Sequence, residues 1–166
     1  MKRSILLVDD DLAVLLTLKA VLELHGFEVE TAGSSAEAVA RMESGVYHMV
    51  ISDLRMETEE AGLEVLRAAR RQSYHPATAL LTAYPPSGEH WPGERRRGEH
   101  GGEESPGKHR EGEDWTGENS DSLLIKPLGT RDLLRQVEAL LIRHAEKQRR
   151  EHTSASKVND AQRRAG

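Results

Sequence analysis

The amino-acid sequence predicts an α/β fold in which helices cover both faces of a parallel sheet. Three observations predict it. Short, unbroken apolar runs recur along the chain, stretches with apolar residues at helical spacing follow them, and polar residues stand at the ends of the runs. Unbroken runs suit strands buried on both faces, and their alternation with helices is the pattern of βα units. At 166 residues the chain has room for one domain with a real core and too little for two ordinary ones.

The first run, SILLV at 4–8, is followed by LAVLLTLKAVLELHG, which keeps helical spacing until Gly26, a plausible C-terminal cap. FEVETA reads as the second strand. SSAEAVARMESG opens with Ser34 three residues before Glu37, a capping-box pattern, and closes at Gly45. HMVISD is a third strand, GLEVLRAARRQ a third helix and ATALLTA a fourth strand. The fifth strand, LLIKP, comes only far downstream. A helix follows it with Thr130 as N-cap and Leu133, Leu134, Val137, Leu140, Leu141 and Ala145 on one face.

Between the fourth and fifth strands the pattern fails. Parallel neighbours need a right-handed crossover, ordinarily a helix. Residues 85–122 contain no Leu, Ile, Val, Met, Phe or Ala, and Trp91 and Trp115 are their only large apolar groups. Such a composition cannot drive collapse, so the helix here is expected to be missing or disordered. His90, His100 and His109 lack the close spacing of metal ligands and read as part of a polar loop. The expected organisation is a domain over 1–145 carrying a polar insertion at 85–122, then a polar tail over 146–166.

Charge follows the same divisions. Residues 1–84 hold 8 basic and 13 acidic side chains, residues 85–122 hold 5 and 10, and residues 123–166 hold 10 and 5. The basic C-terminal end has scattered charges without interleaved aromatics, which argues for a solvated tail and against nucleic-acid binding. No cysteine is present, which removes disulfides, thiolate metal sites and a cysteine nucleophile, and fits a reducing compartment such as the cytoplasm. MKRSILLVDDD has an apolar run too short for a signal peptide or a membrane span.

In open parallel sheets, ligands bind in the crevice at the carboxyl ends of the strands. The polar residues there are Asp9, Asp10 and Asp11 after strand 1, Asp53 after strand 3, Thr82 after strand 4 and Lys126 after strand 5. Taken singly, the aspartates could be an N-cap cluster, Lys126 a turn residue and Thr82 an ordinary strand residue. Taken together they suit phosphoryl transfer onto an aspartate. Packed carboxylates call for a cation, Mg²⁺ being the natural one, while a lysine and a threonine hydroxyl suit phosphoryl oxygens.

The stretches ILLVDDD, VISDLRM, LLTAY and LLIKP, in this order, make the chain resemble the receiver domain of bacterial two-component response regulators over residues 4–84 and 123 to about 145. The resemblance implies a flavodoxin-like, doubly wound five-stranded sheet of order 2-1-3-4-5. It implies that Asp53 accepts a phosphoryl group from a sensor histidine kinase or phosphotransfer protein, and that Asp9, Asp10, Asp53 and the backbone carbonyl of Arg55 hold Mg²⁺. Thr82 and Lys126 would bind the phosphoryl oxygens, and Asp11 would cap the first helix. Arg55 and Tyr84 would tune the lifetime of the phosphoryl group, and the Lys126–Pro127 bond would be cis. The chain would then be a cytoplasmic signalling domain rather than a classical enzyme, acting by protein contact.

Three departures from that family stand out. Glu57 occupies a loop position where proline is common, the spacing from Thr82 to Lys126 is about twice the usual, and Leu123 stands where a Tyr or Phe commonly switches inward. Losing the crossover helix should leave an apolar strip beside strands 4 and 5, covered by Trp91, Trp115 or a partner. Two other readings compete: a receiver-like binding module that works without phosphate, and a haloacid dehalogenase-type phosphatase. The second puts its nucleophile on the first strand and commonly needs a cap domain, for which this chain has no room.

Overall fold

A computed structural model describes residues 2–58, 60–83, 120–126 and 129–164, with 155–164 described as backbone only. The strands are β1 Ser4–Val8, β2 Glu28–Ala32, β3 Met49–Asp53, β4 Ala77–Thr82 and β5 Ser122–Ile125. The helices are α1 Leu12–Leu24, α2 Ser35–Ser44, α3 Ala61–Arg70 and α4 Thr130–Arg164. All strand pairs are parallel and the order across the sheet is β2-β1-β3-β4-β5, as expected.

Alternate residues of each strand face opposite layers, so a doubly covered sheet needs two cores. Ile5, Leu7, Met49, Ile51, Ala79, Leu81 and Leu124 pack with Leu15 and Leu22 of α1 and Leu133, Val137, Leu140 and Leu141 of α4. On the other face Leu6, Val8, Val50 and Leu80 meet Ala38 and Met42 of α2 and Leu63, Val65, Leu66 and Ala69 of α3. Every residue of β3 and β4 is buried, Ser52 and Thr78 included, which is why neither strand carries a charged residue before its carboxyl end.

Local chemistry sets the helix ends. Asp11 is the N-cap of α1, its carboxylate accepting from the N–H groups of Ala13 at 2.8 Å and Val14 at 3.3 Å. Gly26, just past the C-cap, has φ +90°, which costs a glycine little. Ser34 Oγ accepts from Glu37 N–H at 3.2 Å, and Glu37 reaches back to Gly33 N–H at 2.8 Å, one residue beyond the usual box.

Two expectations need correction. The sequence reading ended the last helix near residue 145, whereas α4 runs to Arg164 and includes Thr130 as its first residue. Residues 146–164 contain no Gly or Pro and are rich in Glu, Lys, Arg and Gln, so polarity alone gives the helix no reason to stop. The helix is also pinned beyond the core, because His144 Nε2 and Gln148 Nε2 each donate to the carbonyl of His75 at 2.8 Å. His75 itself sits in the left-handed region at φ 43°.

The second correction concerns the end of the polar stretch. Ser120 and Ser122 are buried, and Asp121 bonds to Thr78, so residues 120–122 belong to the folded frame. The crossover itself, with Trp91, Trp115, His90, His100 and His109, lies outside the described residues. Of the anticipated apolar strip, Leu80 is buried, Leu123 is half-buried and Ile125 is 48% exposed. Among the described residues no helix is long and apolar enough to cross a membrane.

Candidate functional site

Each candidate residue is carried by a strand end, so the parallel sheet brings together residues up to 117 positions apart. Asp9 follows β1 and is 2% exposed, with its N–H bonded to Ala32 O at 3.2 Å. Asp53 is the last residue of β3 and is 8% exposed. Lys126 follows β5, and its N–H donates to the carbonyl of Thr82 at 2.7 Å, extending the β4–β5 ladder by one bond. Thr82 ends β4 and is buried. The register that pairs Asp53 with Leu81 sets Thr82 one residue beyond the level of Asp53.

The ammonium of Lys126 lies 2.7 Å from Asp9 Oδ2 and 2.8 Å from Asp53 Oδ1. Asp9 Oδ1 accepts from Asp11 N–H at 2.9 Å, and Asp53 Oδ2 from Arg55 N–H at 3.1 Å. One oxygen each from Asp9, Asp10 and Asp53 lies within 4.8 Å of the others. Asp10 is the exposed member.

The two partners of the central ion pair respond differently to their surroundings. Burial pushes the Asp53 carboxyl above the usual carboxylate range and the Asp9 charge adds to this, more than Lys126 and the Arg55 N–H can offset. Burial also opposes charge on Lys126, yet its bonds to Asp53 and Asp9 outweigh it and its pKa is raised. One ammonium with two carboxylates is well served, whereas the carboxylates must share it. With Asp10 included, three carboxylates face one ammonium, an excess of two negative charges. Hard oxygen donors and that excess suit a hard divalent cation.

Tyr84 and the Lys126–Pro127 peptide lie outside the described residues. Arg55 is placed beside Asp53 through its backbone N–H. Leu123, opposite Leu80 in the β4–β5 register, packs half-buried against the core beneath α2 and α3.

Three residues acquire roles that the sequence reading did not assign. A Cβ on Gly62 would lie 2.0 Å from the carbonyl oxygen of Asp53 and 2.8 Å from Leu54 Cα, so only glycine lets α3 start against the end of β3. A glycine in the first turn of an otherwise good helix sequence was the available sign. Glu57, which stands where proline is common in the family, accepts hydrogen bonds from Ser35 N–H at 2.8 Å and from Ser35 Oγ, tying the loop after Asp53 to the start of α2. Burial works against its charge, but those bonds hold Glu57 below the usual carboxylate range. Asp121 is the third, and nothing in its polar surroundings marked it.

Residues 5–88 match the family model described as the response regulator receiver domain. The alginate biosynthesis transcriptional regulatory protein AlgB of Pseudomonas syringae pv. tomato is 40% identical over 80 residues, 48% of this chain and 18% of that protein. The acid tolerance regulatory protein ActR of Rhizobium meliloti is 37% identical over 82 residues, 49% of this chain and 42% of that protein. The chain thus spans less than half the length of these curated relatives.

Among solved structures, the response regulator TrrA of Thermotoga maritima in complex with Mg²⁺-BeF is 27% identical. It has a TM-score of 0.61 and the match covers 83% of this chain and 98% of that one. A CheY-like receiver domain protein of Methanospirillum hungatei shares the fold at TM-score 0.65 and 22% identity, covering 89% and 99%. The strand order, the acidic cluster facing Lys126 and the matched stretch agree with one another, and the chain belongs to the response regulator receiver domain family.

Proposed function

We propose that this receiver domain takes a phosphoryl group onto Asp53 from the phosphohistidine of a histidine kinase or phosphotransfer protein, and then signals by protein contact. The observation that carries this reading is Lys126 Nζ bridging Asp9 and Asp53 at 2.7 and 2.8 Å beside a third carboxylate. A carboxylate oxygen of Asp53 bonds to phosphorus as the P–N bond of the donor breaks, and the electron pair of that bond stays on the imidazole. Asp9, Asp10, Asp53 and the backbone carbonyl of Arg55 are the groups to hold Mg²⁺, which when bound would neutralise charge on the transferred group. Lys126 offers its ammonium and Thr82 its hydroxyl to the phosphoryl oxygens, so the chain's own task is positioning and charge balance. The relative crystallised with Mg²⁺-BeF supports Mg²⁺ as the cation.

Mass spectrometry of wild type and Asp53→Asn after incubation with Mg²⁺ and a small phosphodonor such as acetyl phosphate tests the reading. Label is expected on Asp53 of the wild type and absent from the variant. Equal labelling of both, or none in either, would sink it.

A further inference from the structure

Lys126 meets Asp9 and Asp53 only if β5 lies in one register on β4, and three features leave that register poorly specified. β5 has four residues and forms the edge of the sheet. It is separated from β4 by the 39 residues from 83 to 121, not by a short turn whose geometry would dictate the pairing. Its residues Leu123, Leu124 and Ile125 are all apolar, so a slip of one position would replace one apolar side chain in the core by another. The same slip would turn Lys126 to the opposite face of the sheet.

Asp121 distinguishes the registers. It immediately precedes β5, and its Oδ2 accepts from Thr78 N–H and from Thr78 Oγ1, each at 2.9 Å. Its own N–H donates to Thr78 O at 3.0 Å and lies 3.1 Å from Thr78 Oγ1. Arg70 Nη2 of α3 stands 3.7 Å from Asp121 Oδ1, and His144 Nδ1 of α4 stands 3.6 Å from Oδ2. Two helices and the neighbouring strand therefore close on one carboxylate whose side chain is 21% exposed. Between residues 120 and 126 it is the sole acidic residue, so a strand slipped by one position would bring Thr78 only the neutral hydroxyl of Ser120 or Ser122 in place of a carboxylate.

We propose that Asp121 is a register latch, a positioning residue that binds Thr78 at the amino ends of β4 and β5 and so delivers Lys126 to Asp9 and Asp53 at their carboxyl ends. The two ends are five residues apart, about 16 Å of extended chain at roughly 3.3 Å per residue. The latch thus acts on the site without touching it. Its consequence for phosphoryl transfer rests on the function proposed above, whereas its hold on β5 does not.

The test compares Asp121→Ala, Asp121→Asn, Thr78→Val and Lys126→Ala in the full chain by two readouts. These are amide hydrogen exchange in β5 against that in β1 and β3, and the rate of Asp53 labelling by acetyl phosphate with Mg²⁺. Asp121→Ala is expected to speed exchange in β5 by about tenfold or more, with β1 and β3 within about twofold of wild type, and to slow labelling by about tenfold. Asp121→Asn keeps an oxygen that can accept from Thr78 and should recover most of both. Thr78→Val, which loses one of the two donors, should fall between. In the Lys126→Ala background, Asp121→Ala should slow labelling no further, because the latch works through Lys126; a general loss of structure would cost the same in either background. Wild-type exchange in β5 of Asp121→Ala, or equal losses in both backgrounds, overturns the proposal. Should Asp121→Ala fail to fold, Thr78→Val decides, and wild-type β5 exchange in it overturns the latch. A wild type that takes no label defeats the proposed function, while β5 exchange still decides the latch.

Discussion

Replacing Gly62 by alanine should destabilise the protein, although helix propensity alone predicts the opposite. Gly62 is the second residue of α3, where alanine would ordinarily gain about 0.5–1 kcal/mol over glycine. Its Cβ, however, would stand 2.0 Å from the Asp53 carbonyl oxygen, against 3.4 Å or more for an ordinary contact, so the start of α3 and the end of β3 must part by about 1.4 Å. Both obstructing groups are backbone, one of them in a fully buried strand, and neither can swing aside. Overpacking costs about 1–3 kcal/mol and sometimes more, and a clash with two backbone groups belongs at the upper end, so after the helix gain of about 0.5–1 kcal/mol a net loss of roughly 2 kcal/mol is expected. The displaced group is the backbone of the proposed phosphoacceptor. Misplacing a reacting group by about 1 Å can cost about 100-fold in rate, so Asp53 labelling should slow far more than stability falls. Urea unfolding gives the first quantity and timed mass spectrometry with acetyl phosphate the second. A Gly62→Ala protein at least as stable as wild type, labelled at the wild-type rate, would refute the reasoning.

Further expectations concern the surrounding residues. The raised pKa of Asp53 means that its contribution to stability is present below the ordinary carboxylate range and lost as pH rises through its folded value. Metal-free Asp53→Asn should therefore be more stable than wild type near neutral pH, with the gap closing towards acid, as urea titrations in chelator at several pH values will show. Asp11→Ala removes the acceptor of two α1 N–H groups and should cost about 1 kcal/mol of unfolding free energy while leaving Asp53 labelling near normal. Glu57→Ala frees the N–H and hydroxyl of Ser35, and hydrogen exchange at the start of α2 should rise while that of β1 stays unchanged. Because Leu123 has no aromatic ring to turn inward, a phosphoryl mimic should leave the sedimentation coefficient unshifted. A monomer-to-dimer shift abolished by changing Arg135 would contradict this.

The order of elements, the strand ends and the residues at them were readable because each depends on local pattern. Short, mainly apolar runs suit the interior of a covered sheet, and Asp9, Asp10, Asp53, Thr82 and Lys126 stand at or just past the ends of such runs. Asp11 as a cap, Gly26 as a stop and Ser34 with Glu37 were legible for the same reason, since their partners lie within four residues. The strand order came by resemblance, because periodicity says which segments are strands and not which of them are neighbours.

Tertiary structure decided what depends on partners far along the chain. Gly62 is constrained by a carbonyl nine residues away, Glu57 by a serine 22 residues away and Asp121 by a threonine 43 residues away. None of these pairings leaves a mark in the composition of either segment. The end of α4 belongs here too. A polar helix has no apolar stripe to announce it, and its anchorage on the His75 carbonyl by residues 69 and 73 positions later exists only once the sheet has brought the base of β4 beneath it. The sequence by itself determined which chemistry is present at the strand ends. How one lysine is shared among the carboxylates was left to the fold, because distance between side chains is a property of packing and not of spacing.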